Sequence, residues 1–148
     1  MRSVLIESDR EALGRRIASL TSTSSPRWGR MTPDRMLAHL CQSARMALGE
    51  LPVKPKGMRA FQVFPLKHLI LYVLPFPKGA PTAPELLAAP PATVEDEKRT
   101  LVDLLVRLGR GPREGAGPTH PLFGPLSRSE WGALVYKHSD HHLRQFGA

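Results

Sequence analysis

Residues Ser127 to Gly147 read SRSEWGALVYKHSDHHLRQFG, and the fold turns on whether this stretch is one amphipathic helix. It opens with Ser127 and Glu130 in a Ser-x-x-Glu arrangement, where each side chain can satisfy an unpaired backbone N–H of the other at a helix start. It closes at Phe146-Gly147, with glycine as the stop. Advancing about 100° per residue from Trp131, Val135 falls near 40°, Phe146 near 60° and Leu134 near 300°, which makes one apolar arc. The stretch therefore reads as a helix with a single buried face. Three of the six histidines belong to it. His138, near 340°, and His142, near 20°, lie within the arc, and His141, near 280°, sits on its margin.

Three more helices follow from the same periodicity. Leu13, Ile17 and Leu20 define one from about Ser8 to Ser22. A second starts with Thr32 as N-cap, Pro33 at the first helical position and Asp34 in the first turn, and runs to Leu48 before Gly49. A third opens at Thr93 with Glu95, Asp96 and Glu97 in its first turn, where the helix dipole favours negative charge. Its stripe is Val94, Leu101, Leu105 and Leu108, and Gly109 and Gly111 stop it. Nine of the fifteen prolines lie between Leu51 and Pro91, so that region is no single regular element. Within it FPLKHLILYVLPF, Phe64 to Phe76, reads as a short buried helix or apolar plug, a core or lid element in preference to a membrane-surface anchor. The segment between the third and fourth helices reads as a Gly/Pro-rich loop, and no strand-like alternation stands out. The expectation is an all-α four-helix bundle, one domain over 1–148, with an irregular Pro-rich excursion between the second and third helices.

Composition narrows the function classes. The chain has 148 residues and one cysteine, Cys41, which excludes a disulfide framework or a cysteine-cluster metal site and suits a reducing cytoplasm. Glu7, Asp9, Arg10 and Glu11 interrupt the start of the chain, unlike a signal peptide. The longest apolar run, Leu69 to Leu74, is far short of the ~20 residues that span a bilayer, so the protein is expected to be soluble and cytoplasmic. A formal charge of +8 and a pI near 10.4 admit nucleic acid as a partner. The basic residues form no block, however, and Glu95-Asp96-Glu97 stands beside Lys98-Arg99, which speaks against a phosphate-binding face.

Histidines four apart stack one turn apart on a helix, a spacing at which two imidazoles grip one ion. His138 and His142 are equally readable as core-edge histidines bonded to backbone or to each other. A third ligand would have to be His39, on the edge of the second helix's stripe of Met36, Leu40, Ser43 and Ala47; His68, in the apolar plug; or His120, in a loop before Pro121. Cys41 points to the other side of its helix from His39. Gln145 and Gln42, each three residues past a candidate ligand, could orient an imidazole, or be surface amides.

Trp28-Gly29-x-Met31, then MLAHL (Met36 to Leu40), HPLFGPLSRSEW (His120 to Trp131) and HSDHHLRQFG (His138 to Gly147) together resemble the DinB-like superfamily of four-helix metalloenzymes. Within it they resemble an uncharacterised bacterial branch ending in H-x-x-x-H-x-x-Q-F-G. The likeness covers the second helix and the C-terminal third, and reaches the first and third helices only as pattern. It implies an up-down-down-up bundle, a homodimer, and a zinc or nickel ion held by one histidine of the second helix and two of the last: here His39, His138 and His142. It also implies, for some members, transfer of low-molecular-weight thiols. Many relatives read H-R-G-Q at the last ligand; this chain has His142-Leu143-Arg144-Gln145.

Three neutral imidazoles leave a coordination position open, where a water or thiol is activated by the cation. Ser139 follows His138 where a zincin carries Glu, and Asp140 lies on another face, so no general base is apparent and thiolate transfer is favoured over peptide hydrolysis. The function expected is a metal-dependent enzyme with a three-histidine site, with thiol-dependent transfer as the reaction it favours. The alternatives are a non-catalytic metal-binding or regulatory bundle and a basic nucleic-acid-binding module.

Overall fold

The computed structural model describes residues 1–54, 59–78 and 84–148. Five α-helices dominate: α1 (Glu7–Ala18), α2 (Pro33–Leu48), α3 (Leu66–His68), α4 (Val94–Arg110) and α5 (Arg128–Gln145). Between α4 and α5 lies a small antiparallel sheet of β1 (Ala116–His120) and β2 (Gly124–Ser127). The described residues are thus mainly helical, 56% of them, and the fold is not purely α.

The helices start and stop where local chemistry directs. At the head of α4, Thr93 Oγ1 accepts from Asp96 N at 3.1 Å. At the head of α5 the capping box closes both ways, with Glu130 N donating to Ser127 Oγ at 3.2 Å and Ser127 N to Glu130 Oε2 at 2.7 Å. Helix α2 begins after Thr32 and ends at Gly49, whose φ of +80° turns the chain while Glu50 N bonds back to Arg45 O at 2.9 Å. Helix α1 is shorter than its apolar period suggests. It ends at Ala18, since the Ser/Thr run after it offers competing side-chain hydrogen bonds, yet Leu20 remains in the core.

The core is where the four long helices meet. Helix α2 packs most extensively on α4, α1 lies against α4 and α5, and α2 also meets α5. Their buried stripes supply Leu13 and Ile17, then Met36, Leu37, Leu40 and Ala44, then Leu101, Leu105 and Leu108, then Trp131, Val135 and Leu143.

Two expectations are corrected. The Gly/Pro-rich loop before α5 is the β1–β2 hairpin, with Thr119 opposite Pro125 and His120 opposite Gly124. Its sequence, Ala-Gly-Pro-Thr-His and Gly-Pro-Leu-Ser, has little β-propensity. Tertiary contacts hold it instead: Trp131 Nε1 donates to Pro118 O at 2.7 Å, and Gly117 lies so close that a Cβ there would stand 2.4 Å from Trp131 Cδ1. The second correction concerns the apolar plug. Helix α3 continues into one π-turn, Leu69–Val73, and of this whole segment only Leu71 is buried. Phe64 is 79% exposed and Val73 69%. Polar tethers hold the segment to α5 and β2: Lys67 reaches Glu130 at 3.0 Å and Pro125 O at 2.9 Å, and Lys137 donates to Ile70 O. Among the described residues, no helix is long and apolar enough to cross a membrane.

Removing the α5 cap isolates its contribution. Ser127→Ala is expected to lower unfolding stability by about 1 kcal/mol in urea titrations, the usual cost of losing an N-cap hydroxyl.

Candidate metal centre

Helix α2 contributes His39 and α5 contributes His138 and His142, and the three converge where the two helices meet. One ring nitrogen from each lies within 4.8 Å of the others, close enough to hold a metal ion. His39 Nε2 is 2.9 Å from His138 Nε2, and the three ring centroids are 4.8 to 4.9 Å apart. His39 is 2% exposed, whereas His138 and His142 keep part of their surface open.

The outer nitrogens are oriented by the protein in two cases out of three. Gln145 Nε2 donates to Trp28 O at 2.8 Å, so its Oε1 is the acceptor facing His142 Nδ1, also at 2.8 Å. His142 must then carry its proton on Nδ1, which leaves the Nε2 lone pair free. Ser43 Oγ stands 3.0 Å from His138 Nδ1 and can play the same part. His39 Nδ1 is buried without a hydrogen-bond partner among the described residues. The Leu86 main chain is near enough to favour a proton on the ring, short of a bond of normal geometry.

This support explains two sequence motifs. Arg27 N donates to Gln145 O at 2.6 Å, and Gly29, at φ +80°, comes so near that a Cβ would lie 2.8 Å from Gln145 Nε2. Gly147, at φ +77°, admits the Arg27 guanidinium in the same way. The Trp28-Gly29 turn and the Gln145-Phe146-Gly147 end of α5 form a clasp behind His142.

Burial keeps the cluster neutral. Desolvation, followed by the charge of His142, lowers the His39 pKa to about 3. His142 falls to about 4, again chiefly by burial, against a smaller opposing effect of the Gln145 hydrogen bond. His138 is held well below its ordinary value by burial and then by the neighbouring histidines. Neutral imidazole is the ligand form, so the groups suit a cation. Zn–N bonds of ~2.0–2.1 Å put tetrahedral ligand nitrogens about 3.3 Å apart, between the 2.9 Å His39–His138 separation and the 4.8 Å within which all three lie, so seating an ion requires the rings to shift.

The remaining histidines take other roles. His141 lies outside the trio, edge-on to Trp28 at 5.8 Å and to Phe76 at 6.0 Å between ring centroids. His120 Nδ1 accepts from Leu122 N at 3.1 Å and Phe123 N at 3.2 Å, fixing the hairpin turn. His68 is exposed between Phe64 and Tyr72. Cys41 is buried toward α4, 3.6 Å from Glu97 O, and burial pushes its thiol pKa up. Asp140 is ion-paired with Arg16 at 2.7 Å and Arg144 at 3.0 Å. Of the two candidate amides, Gln145 orients a histidine. Ser43, noticed in sequence only as part of a buried stripe, does so as well, and its position one turn after His39 was the signal available.

Comparison with protein-family models, curated proteins and solved structures finds no match to this chain.

The neutral trio makes stability pH-dependent in the metal-free protein. Below about 6.5 the unfolded chain takes up protons that the folded trio refuses until near its depressed pKa values, about 4 for His142. Stability is therefore retained above pH 6.5 and lost as pH falls from there toward 4. Urea midpoints measured across that window are expected to decline steadily, and a flat profile would contradict the burial.

Proposed function

We propose that this chain is a DinB-like metal-dependent enzyme in which His39, His138 and His142 bind one divalent cation, zinc or nickel, through their Nε2 atoms. The observation that carries the reading is the convergence of three neutral imidazoles from two helices within 4.8 Å. When bound, the cation would supply Lewis-acid activation of a water or thiol at its open position.

The chain's own groups divide the remaining work. Gln145 and Ser43 hold the His142 and His138 rings, which fixes the nitrogens that face the ion. Trp28, His141 and Phe76 form an aromatic rim beside the two partly open ligands, with Lys78 Nζ 4.6 Å from the Trp28 ring centroid and Lys137 Nζ 4.9 Å from that of Phe76. Such a rim excludes water from one side and favours an anionic or polarisable reactant. No carboxylate joins the trio among the described residues, and Asp140 is engaged by two arginines. A reaction that needs an activated thiolate and little proton shuttling therefore fits better than peptide hydrolysis, and we assign a thiol-dependent transfer with a low-molecular-weight thiol as co-substrate. The reading includes a homodimer, with the exposed Val63, Phe64 and Val73 as its candidate contact.

Protein purified without a histidine tag is expected to carry close to one zinc or nickel per chain by elemental analysis. The double variant His39→Ala, His142→Ala should carry essentially none; wild-type metal content in that variant would refute the site. A screen of thiol co-substrates with the loaded protein then tests the reaction class.

A second variant probes the clasp without touching a ligand. In Gly29→Ala the new methyl displaces the Gln145 amide, and metal affinity is expected to fall at least tenfold in chelator competition, the lower end of what losing such a partner costs.

A further inference from the structure

Residues 63–74 carry an apolar face that no other described part of the chain covers. Val63, Phe64, Leu69, Val73 and Leu74 are five of the nine large apolar side chains exposed among the described residues, and they fall together in this one segment. Its inner side is pinned. Leu71, between Leu69 and Val73, is turned inward and buried, Lys67 pairs with Glu130 and donates to Pro125 O, and Lys137 donates to Ile70 O. With the inner side so held, the apolar side chains stay turned outward. Composition alone favours a core element here over a membrane-surface anchor, and burial of Leu71 alone removes the ground for that preference.

The charge in and around this segment points to its partner. Between Glu50 and Glu85 the sequence holds no acidic residue and five basic ones, Lys54, Lys56, Arg59, Lys67 and Lys78. Lys67 is answered by Glu130, whereas Lys54, before the apolar stretch, and Lys78, after it, are exposed. An apolar face with basic flanks suits the plane of an anionic bilayer, where the apolar groups enter the headgroup boundary and the cations meet lipid phosphate and carboxylate. The homodimer read above draws on Val63, Phe64 and Val73 as well, so the two occupants compete. Charge separates them: in a two-fold contact one surface faces itself, and both basic flanks would meet like charge on a chain of formal charge +8.

We propose that the face formed by residues 63–74 docks on a membrane surface rich in anionic lipid. The attachment is peripheral, by side chains that enter one leaflet from the side and not by a spanning helix. It does not rest on the metal reading. It does bear on where that centre would work, because Phe76, two residues past Leu74, packs edge-on to His138 and His141 with ring centroids 6.0 Å apart. Docking therefore holds the partly open side of the trio close to the lipid.

Vesicles of phosphatidylserine and phosphatidylcholine in equal parts are the probe, with pure phosphatidylcholine as the neutral control, and the full chain is co-sedimented with each. The wild type is expected to sediment with the anionic vesicles, far less with the neutral ones, and to be released as salt is raised. Phe64→Ser, Val73→Ser changes two exposed side chains and no charge, and should weaken binding to the anionic vesicles at least about tenfold. A wild type that ignores anionic vesicles overturns the proposal. So does equal binding to both kinds of vesicle, and so does binding that the double variant keeps in full, which would be adhesion of the overall positive charge. Phe64→Trp locates the contact, read against the wild type with its Trp28 and Trp131. The added indole should shift its emission to the blue on anionic vesicles and be quenched by brominated acyl chains; unchanged emission from vesicle-bound protein overturns the assignment of this face. Sedimentation velocity without lipid tests the rival occupant. A wild-type dimer that the double variant dissociates, together with no vesicle binding by the wild type, gives the face to a second copy and overturns the proposal.

Discussion

The approach of His39 Nε2 to His138 Nε2 at 2.9 Å is the constraint around which the rest of this molecule is arranged. The two residues are 99 positions apart in the chain, on α2 and α5, and the contact exists only where those helices pack. Two imidazoles this close cannot both be charged without strong repulsion, and apolar surroundings raise the cost of charging either. The fold therefore commits these rings to the neutral form, and in the metal-free protein one of the two Nε2 atoms carries the proton and donates to the lone pair of the other. That commitment disfavours the metal-free protein in acid and suits it to a cation at neutral pH.

Orientation is the second requirement, and it is met by residues outside the trio. A neutral histidine has two tautomers, of which one presents a lone pair inward. The Gln145 amide removes the choice for His142 because its own orientation is fixed at the far end by Trp28 O. The chain of dependence then runs to two glycines. Gly29 has a left-handed φ and no Cβ, and both properties are needed for the Trp28 turn to sit against Gln145; Gly147 allows the return contact with Arg27. Helix termination at the C-terminal end of α5 and the orientation of the His142 ring are thus one piece of structure.

Much of this was legible in the sequence, and the legible part has a common cause. The 3.6-residue period, the capping box at Ser127 and Glu130, the acidic first turn after Thr93 and the stop at Gly49 are local signals, and each marks an element seen in the structure. The wheel placed His138 and His142 on the buried arc and His141 at its margin, because one face of α5 is defined by its own apolar residues. What stayed hidden depends on contacts made across the chain. The β1–β2 hairpin contains Pro118 and Pro125 and no alternation, and it is a ribbon only because Trp131 bonds Pro118 O and packs on Gly117. The Phe64–Phe76 run looks like core by composition, yet lysine tethers from and to α5 hold it with Leu71 buried, Ile70, Tyr72 and Phe76 packed at the core's edge, and Phe64, Leu69, Val73 and Leu74 exposed. The role of Ser43 needed the pairing of α2 with α5, which no single-helix pattern contains.

The difference between side-chain and main-chain outer partners bears on how such a centre could be reactive. A site whose three ligands were all braced by buried protein groups would favour a static ion. Here His138 and His142 are braced by side chains and partly open, whereas His39 is buried with only the Leu86 main chain near the outer edge of its ring. An imidazole that donates to a carboxylate is a stronger electron donor to a cation than one that donates to nothing. The outer partner of each ring would thus bear on the acidity of any ion held there. The side of the trio beside Trp28 and Phe76 carries the two partly open rings, whereas the Leu86 side closes over His39.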